Sequence, residues 1–514
     1  MKKLSRLSSH WDRLNGDELR SLQLEKLNRY LNQHVMPFSA YYRELFANSG
    51  INEARFRSFD DLAELPFSSK RSLVDEDGTP KTRDFVLVPD EDVLRRRPGT
   101  LWHALRHGPK SAKVKLAHEY RPVLMTSTTG RSAEPVPFLY SQHDLDVLAV
   151  TGHRMMRICD SKKEFRHLNL FPFAPHLAFW QAHYAGLGYN TFSLSTGGGK
   201  VMGTEGNVRL IDKIQPDALI GMPTFIYHVL QVAAESGVTS PNIKRIVLGG
   251  EKVPNGLRRK LRALCAELGS GRVEVMATYG FTEAKMAWPE CPVGNSSEPS
   301  GYHLYPDLGI IEVVDPDSGK PVGEGEPGEI VFTPLDSRGS VVLRYRTGDL
   351  ISGGLTHEPC PSCGRSMPRL LGRISRVSDV RRLNIDKVKG TLVNFNELEN
   401  VLDDLDEVGS WQIELRKRNN DPLECDEILV HVAASRGEAG DSTARERLTR
   451  KIEARLSAAA ELRPNRVEFH EAEVLREKQG VGRNLKEAKV VDHREEAASP
   501  PLIEPRKETH HEIH

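Results

Sequence analysis

The sequence has no run of about 18 apolar residues, the length a helix needs to span a bilayer, so no membrane partner is expected. Its first stretch, MKKLSRLSSHWDRL, has two lysines with no apolar segment behind them, and no signal peptide is expected there. Charge of either sign is not in excess: 71 Lys+Arg balance 71 Asp+Glu. A protein held on nucleic acid by its overall field needs a basic surplus, so that class is set aside. Cysteine is scarce, at six in 514 residues, which excludes a disulfide scaffold and leaves a metal site as the reading for clustered cysteines. No internal repeat is visible. A cytoplasmic protein follows, and the length fits about three domains or one large domain with an appendage.

What is present divides along the chain. Residues 1–75 carry Leu19, Leu22, Leu27, Leu31 and Val35 at spacings that give helices one buried face. Residues 84–118 are basic and broken by Pro98-Gly99, which predicts a solvated insertion loop. From about 120 to 350, apolar runs such as Ala218–Gly221 and Ile243–Leu248 alternate with helical patterns at Phe225–Val238 and Gly256–Leu268. Strands spaced by helices of that length predict βαβ units in doubly wound, mostly parallel sheets. Over 309–334, two β-rich runs flank Asp-Pro, Ser-Gly and Gly-Glu-Gly, which predicts an antiparallel hairpin in a β-rich subdomain.

Past about 375 the pattern changes to α-β-β-α-β. Asn396 and Glu399 form a cap-like pair, strands follow at 411–416 and 427–433, and a helix carries Leu448, Ile452 and Leu456 before a strand at 467–469. The expected class is therefore α/β, with a large N-terminal domain over 1–375, a small mobile α+β domain over 376–494 and a disordered polar tail over 495–514.

Three segments carry chemistry. Thr126-Ser127-Thr128-Thr129-Gly130-Arg131 follows a strand-like run, and such hydroxyls and backbone N–H groups can wrap phosphate oxygens. Tyr279-Gly280-Phe281-Thr282-Glu283 ends another strand, where sheet edges bind ligands; Tyr279 can stack on a base and Glu283 can hold Mg²⁺. Tyr345-Arg346-Thr347-Gly348-Asp349 puts a carboxylate just past a strand, suited to two ribose hydroxyls. Singly these also read as a core tyrosine, a capping threonine and a surface aspartate.

Taken in order, with Gly221-Met222-Pro223-Thr224-Phe225, Gly249-Gly250-Glu251, Gly328–Phe332 and Gly372-Arg373, the segments resemble the adenylate-forming superfamily of acyl-CoA synthetases and ligases. The resemblance runs over about 10–495 and is to the phenylacetate–CoA ligase-like branch. It implies that a carboxylic acid, aryl or arylacetic, is adenylated by ATP with Mg²⁺ and then passed to coenzyme A. It further implies that Thr126 to Gly130 embrace the β- and γ-phosphates, with Arg131 where the family usually has Lys. Gly250, Glu251, Tyr279 and Gly280 would border the adenine, Thr282 and Glu283 act at the α-phosphate and Mg²⁺, and Asp349 and Arg373 hold the ribose. The small domain would supply Lys486, which keeps the family's spacing to Val490-Val491-Asp492, with Lys478 in reserve. Leu485 replaces the usual Gly before that lysine, and either Arg376 or Asp379 can serve as hinge. These departures keep a second reading open, in which an amine, a carrier-protein thiol or another small nucleophile is the acceptor. A third reading is a binding protein without catalysis. Homodimerisation is left open.

Cys360-Pro361-Ser362-Cys363 is a C-x₂-C knuckle, and with Cys291 and His303 it makes a Cys₃His set, the closed tetrahedral donor set of structural zinc. Cys159, Cys265 and Cys425 have no partners in sequence and are expected to pack in cores. Phe171, Phe173, Phe179, Trp180 and Phe225 are candidates to line an apolar acyl pocket.

Overall fold

A computed structural model of the chain describes residues 10–51, 56–128, 135–294, 298–376, 387–388, 391–392, 395–418, 426–435, 442–460, 464–480 and 487–494. The chain divides into two compact units, Met1–Asp379 and Val380–His514. The expected tail at 495–514 lies outside the described residues. No helix among the described residues is long and apolar enough to cross a membrane.

The first unit begins with helices. Asn15 caps Gly16–Tyr30 by accepting from the Glu18 N–H, while the Glu18 carboxylate accepts from the Asn15 N–H. Leu19, Leu22, Leu27, Leu31 and Val35 are all buried, as their spacing predicts. The expected loop over 84–118 is instead largely helical, at Glu91–Arg96, Pro98–His107 and Pro109–Tyr120. Its Pro and Gly residues punctuate helices and do not prevent them. Asp90 caps the first by accepting from two N–H groups, while Pro98 and Pro109 sit in the first turns of the next two, where a missing N–H costs nothing. Gly108, at φ +84°, makes the break between those two.

A six-stranded sheet forms the centre of the unit. Its order is Ser193–Gly197, His167–Pro172, Ala218–Gly221, Arg245–Gly249, Glu274–Phe281 and Met286–Pro289. The first five strands are parallel and the last is antiparallel. Helices Leu177–Tyr189, Gly199–Ile214, Pro223–Glu235 and Asn255–Glu267 connect the parallel strands. The chain starts at His167–Pro172, moves one way to Ser193–Gly197, then back past it to Ala218–Gly221. Right-handed crossovers in opposite directions place helices on both faces and open a crevice at the carboxyl ends of the strands.

A second sheet is mostly antiparallel. Gly309–Val314 and Gly328–Pro334 pair from Gly309 opposite Pro334 to Val314 opposite Glu329, the predicted hairpin. Tyr345–Ile351 pairs next, with Ile374–Arg376 and Ser68–Ser69 along its other edge. Arg344 ties this sheet to the N-terminal helices. Its guanidinium reaches Glu312, donates to the carbonyls of Ala63 and Leu65, and lies 4.1 Å from the centre of the Phe67 ring.

The second unit holds a four-stranded sheet ordered Arg466–Phe469, Asp426–Ala434, Val408–Lys417, Val490–Asp492. The central pair is antiparallel, and each outer strand runs parallel to its neighbour. Leu398, Leu402, Ile413, Leu415, Val430, Val432, Leu448, Ile452 and Leu456 form its core, including the helix face read from sequence. Helix Phe395–Asp403 already contains Asn396, so that residue sits in the first turn and not at the cap; the helix starts one residue earlier than the polar signal.

Asp144 is a buried junction of the first unit. It closes a capping box with Ser141, accepts from the N–H groups of Arg338 and Gly339, and pairs with the Lys285 ammonium at 3.1 Å. Burial alone would raise its carboxyl, but Lys285 and these N–H donors outweigh that and hold it below the usual range. Stability from this group is therefore present above the ordinary carboxylate range and lost as pH falls below it. Lys285→Met leaves the carboxylate without its cation and is expected to lose about 3–5 kcal/mol of unfolding free energy in urea at neutral pH. That loss should shrink as the titration is repeated at falling pH.

Candidate active site

The strand Glu274–Phe281 runs straight into the 3₁₀ turn Thr282–Ala284 at the carboxyl edge of the parallel sheet. Gly280 is required there, because a Cβ would lie 2.6 Å from the Ala287 Cβ on the returning strand. Tyr279 is followed four residues later by Glu283, and in the second sheet Tyr345 is followed four residues later by Asp349. The hydrogen bonds cross between the two sheets. Tyr279 donates from its hydroxyl to Asp349 Oδ2 at 3.0 Å, and Tyr345 donates to Glu283 Oε1 at 2.7 Å.

Each carboxylate is thereby held by a phenol. Burial pushes Glu283 above the ordinary carboxylate value, partly offset by the Tyr345 hydrogen bond and by the positive field of Arg376. Burial raises both phenols as well, so they remain donors. The Arg376 guanidinium lies 3.3 Å from Asp349 Oδ1, and the Asp349 N–H donates to the Thr347 hydroxyl, which fixes the turn. Arg373 is exposed, with its N–H donating to Ser352 Oγ. Asp379, the other hinge candidate, lies outside the described residues. The Tyr279 ring packs on Trp288 at 5.8 Å and is only 8% exposed, so most of its surface belongs to the core and not to an open stacking platform.

Along the same edge, Gly250 adopts φ +86° and presents Glu251 to the preceding crossover. Glu251 Oε2 accepts from the Thr224 hydroxyl at 2.8 Å and from its N–H at 3.3 Å, joining Gly249-Gly250-Glu251 to Gly221-Met222-Pro223-Thr224-Phe225.

The strands Pro122–Ser127 and Pro137–Ser141, on either side of the hydroxyl-rich segment in sequence, pair antiparallel, with Ser127 opposite Pro137. Ser127 bridges to the central sheet, its N–H donating to the Pro175 carbonyl at 2.6 Å and its carbonyl 2.9 Å from His176 Nδ1. Thr126 differs from expectation. Its side chain is fully buried and its hydroxyl donates to Tyr140, so it holds the base of the hairpin and is not presented to phosphate. The Thr128 hydroxyl accepts from the Val136 N–H. Thr129, Gly130, Arg131 and Lys486 lie outside the described residues; Lys478 is in helix Ala472–Gln479 of the second unit.

Several contributors are not apparent in the sequence reading. Tyr345 and Arg376 gain their roles only through the crossed bonds, although the repeated Tyr-x₃-acid spacing was a usable signal. Gly197-Gly198-Gly199 is another. These glycines span the end of strand Ser193–Gly197 and the start of helix Gly199–Ile214, two have positive φ, and a Cβ on Gly197 would meet the Phe173 ring at 2.6 Å while one on Gly199 would meet Phe225 at 2.9 Å. Phe173 is 54% exposed and packs edge-on against Phe179, which stacks on His183. Trp180 lies beside Phe179, whereas Phe171 is buried.

Apart from this edge, Cys291, His303, Cys360 and Cys363 gather their donor atoms within 4.8 Å of one another. Cys291 Sγ and Cys360 Sγ are 3.8 Å apart, the edge of a tetrahedron with metal–sulfur bonds of about 2.3 Å. His303 Nδ1 faces the carbonyls of Gly301 and Pro289, which places its proton there and turns the Nε2 lone pair toward Cys363 Sγ at 3.3 Å. Arg258 positions the approach to Cys291 through a buried two-pronged pair with Glu290, at 2.8 and 3.0 Å. The donor set fits a metal ion in closed tetrahedral coordination. Cys159 and Cys265 are buried in apolar clusters, as expected, and Cys425 lies outside the described residues.

Residues 176–334 match the family model described as AMP-binding enzyme. The chain is similar to the phenylacetate–coenzyme A ligase of Thermus thermophilus, at 26% identity over 377 residues, covering 72% of this chain and 74% of that one. The corresponding Pseudomonas putida enzyme is 24% identical over 424 residues, covering 81% and 82%. Among solved structures, 2-hydroxyisobutyryl-CoA ligase in its postadenylation state superposes with a TM-score of 0.74 at 20% identity, covering 95% of this chain and 93% of that one, which shows a common fold. With the motif order and these relatives together, the chain carries an AMP-binding enzyme segment and is similar over most of its length to phenylacetate–coenzyme A ligases.

Proposed function

We propose that the protein activates an aryl or arylacetic acid with ATP and transfers the acyl group to coenzyme A. The observation that carries this reading is the crossed pair of Tyr–carboxylate bonds at the carboxyl edge of the sheet, beside the segment matched to AMP-binding enzymes. The substrate carboxylate attacks the α-phosphorus of ATP, forming the acyl-adenylate and releasing pyrophosphate. The thiolate of coenzyme A then attacks the acyl carbon, and AMP leaves.

The protein's part is alignment and charge compensation. Asp349, held by Tyr279, accepts from the ribose hydroxyls, and Arg373 holds the ribose with it. Gly250, Glu251, Tyr279 and Gly280 border the adenine. Ser127, Thr128, Thr129, Gly130 and Arg131 bind the terminal phosphates, and Thr282 donates to the α-phosphate. Glu283 holds Mg²⁺, which would neutralise phosphate charge. Lys486 reaches the α-phosphate and ribose during adenylation. The exposed Phe173 with Phe179 and Phe225 favours an aromatic acid. The Cys₃His set carries structural zinc, and the cytoplasm is the compartment in which its thiolates stay reduced.

Pyrophosphate release, measured with ATP and Mg²⁺ across a panel of aryl and aliphatic acids, tests the reading. Turnover is expected to require both an aromatic acid and coenzyme A. Acid-dependent release indifferent to coenzyme A would replace that acceptor with an amine or carrier-protein thiol. In the same assay Lys486→Ala is expected to lower adenylation by at least about 100-fold while leaving ATP binding measurable. Full activity in both Lys486→Ala and Lys478→Ala would overturn the lysine's role.

For the knuckle, cobalt-substituted protein should show sulfur-to-metal charge-transfer absorption from one thiolate-bound ion per chain. Cys363→Ser is expected to lose that ion together with thermal stability. Stoichiometric thiolate-bound metal persisting in the variant would exclude the set.

A further inference from the structure

The second unit carries another group of donors, on a sheet face remote in sequence from the cysteines. His431 lies on strand Asp426–Ala434, Glu468 on strand Arg466–Phe469 and His470 just beyond it. His431 is the register partner of Glu468, and the His470 N–H donates to the Val432 carbonyl, so the backbone ladder sets all three side by side. His431 Nδ1 is 2.9 Å from His470 Nε2 and 3.4 Å from Glu468 Oε2, while His470 Nε2 is 3.9 Å from the same oxygen. The donor atoms of all three lie within 4.8 Å of one another.

The protonation of His431 follows from its other side. Its side chain is 1% exposed, and its Nε2 lies 2.8 Å from Glu414 Oε2. A carboxylate can only accept, so the proton sits on Nε2 and the Nδ1 lone pair faces His470 and Glu468. A carboxylate behind a histidine, with the opposite nitrogen aimed at a second imidazole and a second carboxylate, is the arrangement that orients metal-bound histidines. Arg416 stands 3.9 Å from Glu414 on the far side.

We propose that His431, Glu468 and His470 form a second divalent-cation site, selective for zinc-class ions by its two imidazoles and one carboxylate. Three protein ligands leave a position for water or an outside ligand, so this ion exchanges, unlike one held by the closed cysteine set. The ion clips the end strand Arg466–Phe469 to its neighbour. It also fixes His470, the residue before the Glu471 cap of helix Ala472–Gln479.

The test uses the full chain, stripped with a chelator and titrated with Zn²⁺ or Co²⁺. Wild-type protein is expected to saturate at two ions per chain, with only one giving sulfur-to-cobalt absorption. His470→Ala and Glu468→Ala should each lose the second ion and keep the sulfur band intact. Glu414→Gln should keep two ions but weaken the second by about 10- to 100-fold. Zinc should raise the melting temperature of Cys363→Ser protein, where only this site remains, and should not raise that of Cys363→Ser with Glu468→Ala. Melting with chelator present checks folding: a Glu468→Ala protein that melts like chelated wild type is folded, and its stoichiometry decides the matter. Saturation of wild type by the sulfur-bound ion alone, or two ions in folded Glu468→Ala, would overturn the proposal.

Discussion

The two hydrogen bonds that cross between the parallel sheet and the mostly antiparallel one set the geometry of the candidate site. Each sheet contributes one phenol and one carboxylate, and each phenol serves the other sheet's carboxylate. A buried carboxylate without a donor would be costly, so neither sheet can shift without uncovering a group that the other satisfies. The hydrogen bonds join a charged acceptor to a neutral donor, the stronger class, at a place where burial strengthens them further. The price is a Glu283 less acidic than an exposed one. Nucleotide chemistry suits that arrangement, because phosphate with its cation and ribose with its hydroxyls both need fixed acceptors.

Behind this edge, buried ion pairs hold the strands in register. Arg258 and Glu290 join helix Asn255–Glu267 to the strand carrying Tyr279, since Glu290 Oε2 also accepts from the Ala277 N–H at 2.7 Å. The residue after Glu290 is Cys291, so one pair orients both the candidate nucleotide edge and the first ligand of the cysteine set. Arg154 and Asp307 make a comparable buried pair at 2.6 and 2.9 Å, with Trp11 stacked on the guanidinium at 4.3 Å. Such pairs add specificity of arrangement more than net stability, because desolvation offsets much of their attraction.

Much of the local order was legible. Periodicity placed the buried leucines of the first helices, the alternation of strands and helices through the central sheet, and the hairpin from Gly309 to Pro334, because each follows from which side chains must leave water. The helices between Glu91 and Tyr120 escape a reading that treats proline only as a breaker, because at a helix's first turn proline is a starter. Thr126 could not be distinguished from Ser127 and Thr128 by composition; only the pleat of the hairpin turns it inward to Tyr140.

The sequence by itself determined the α/β class, the family resemblance and the candidate Cys₃His donor set, since these rest on residue type, order and short-range spacing. Tertiary structure alone decided which tyrosine meets which carboxylate, that Arg376 stands against Asp349, and that His431, Glu468 and His470 lie side by side. Those relations join residues up to 70 positions apart, such as Tyr279 and Asp349. They depend on strand register across sheets, where a slip of one residue would turn every side chain to the opposite face.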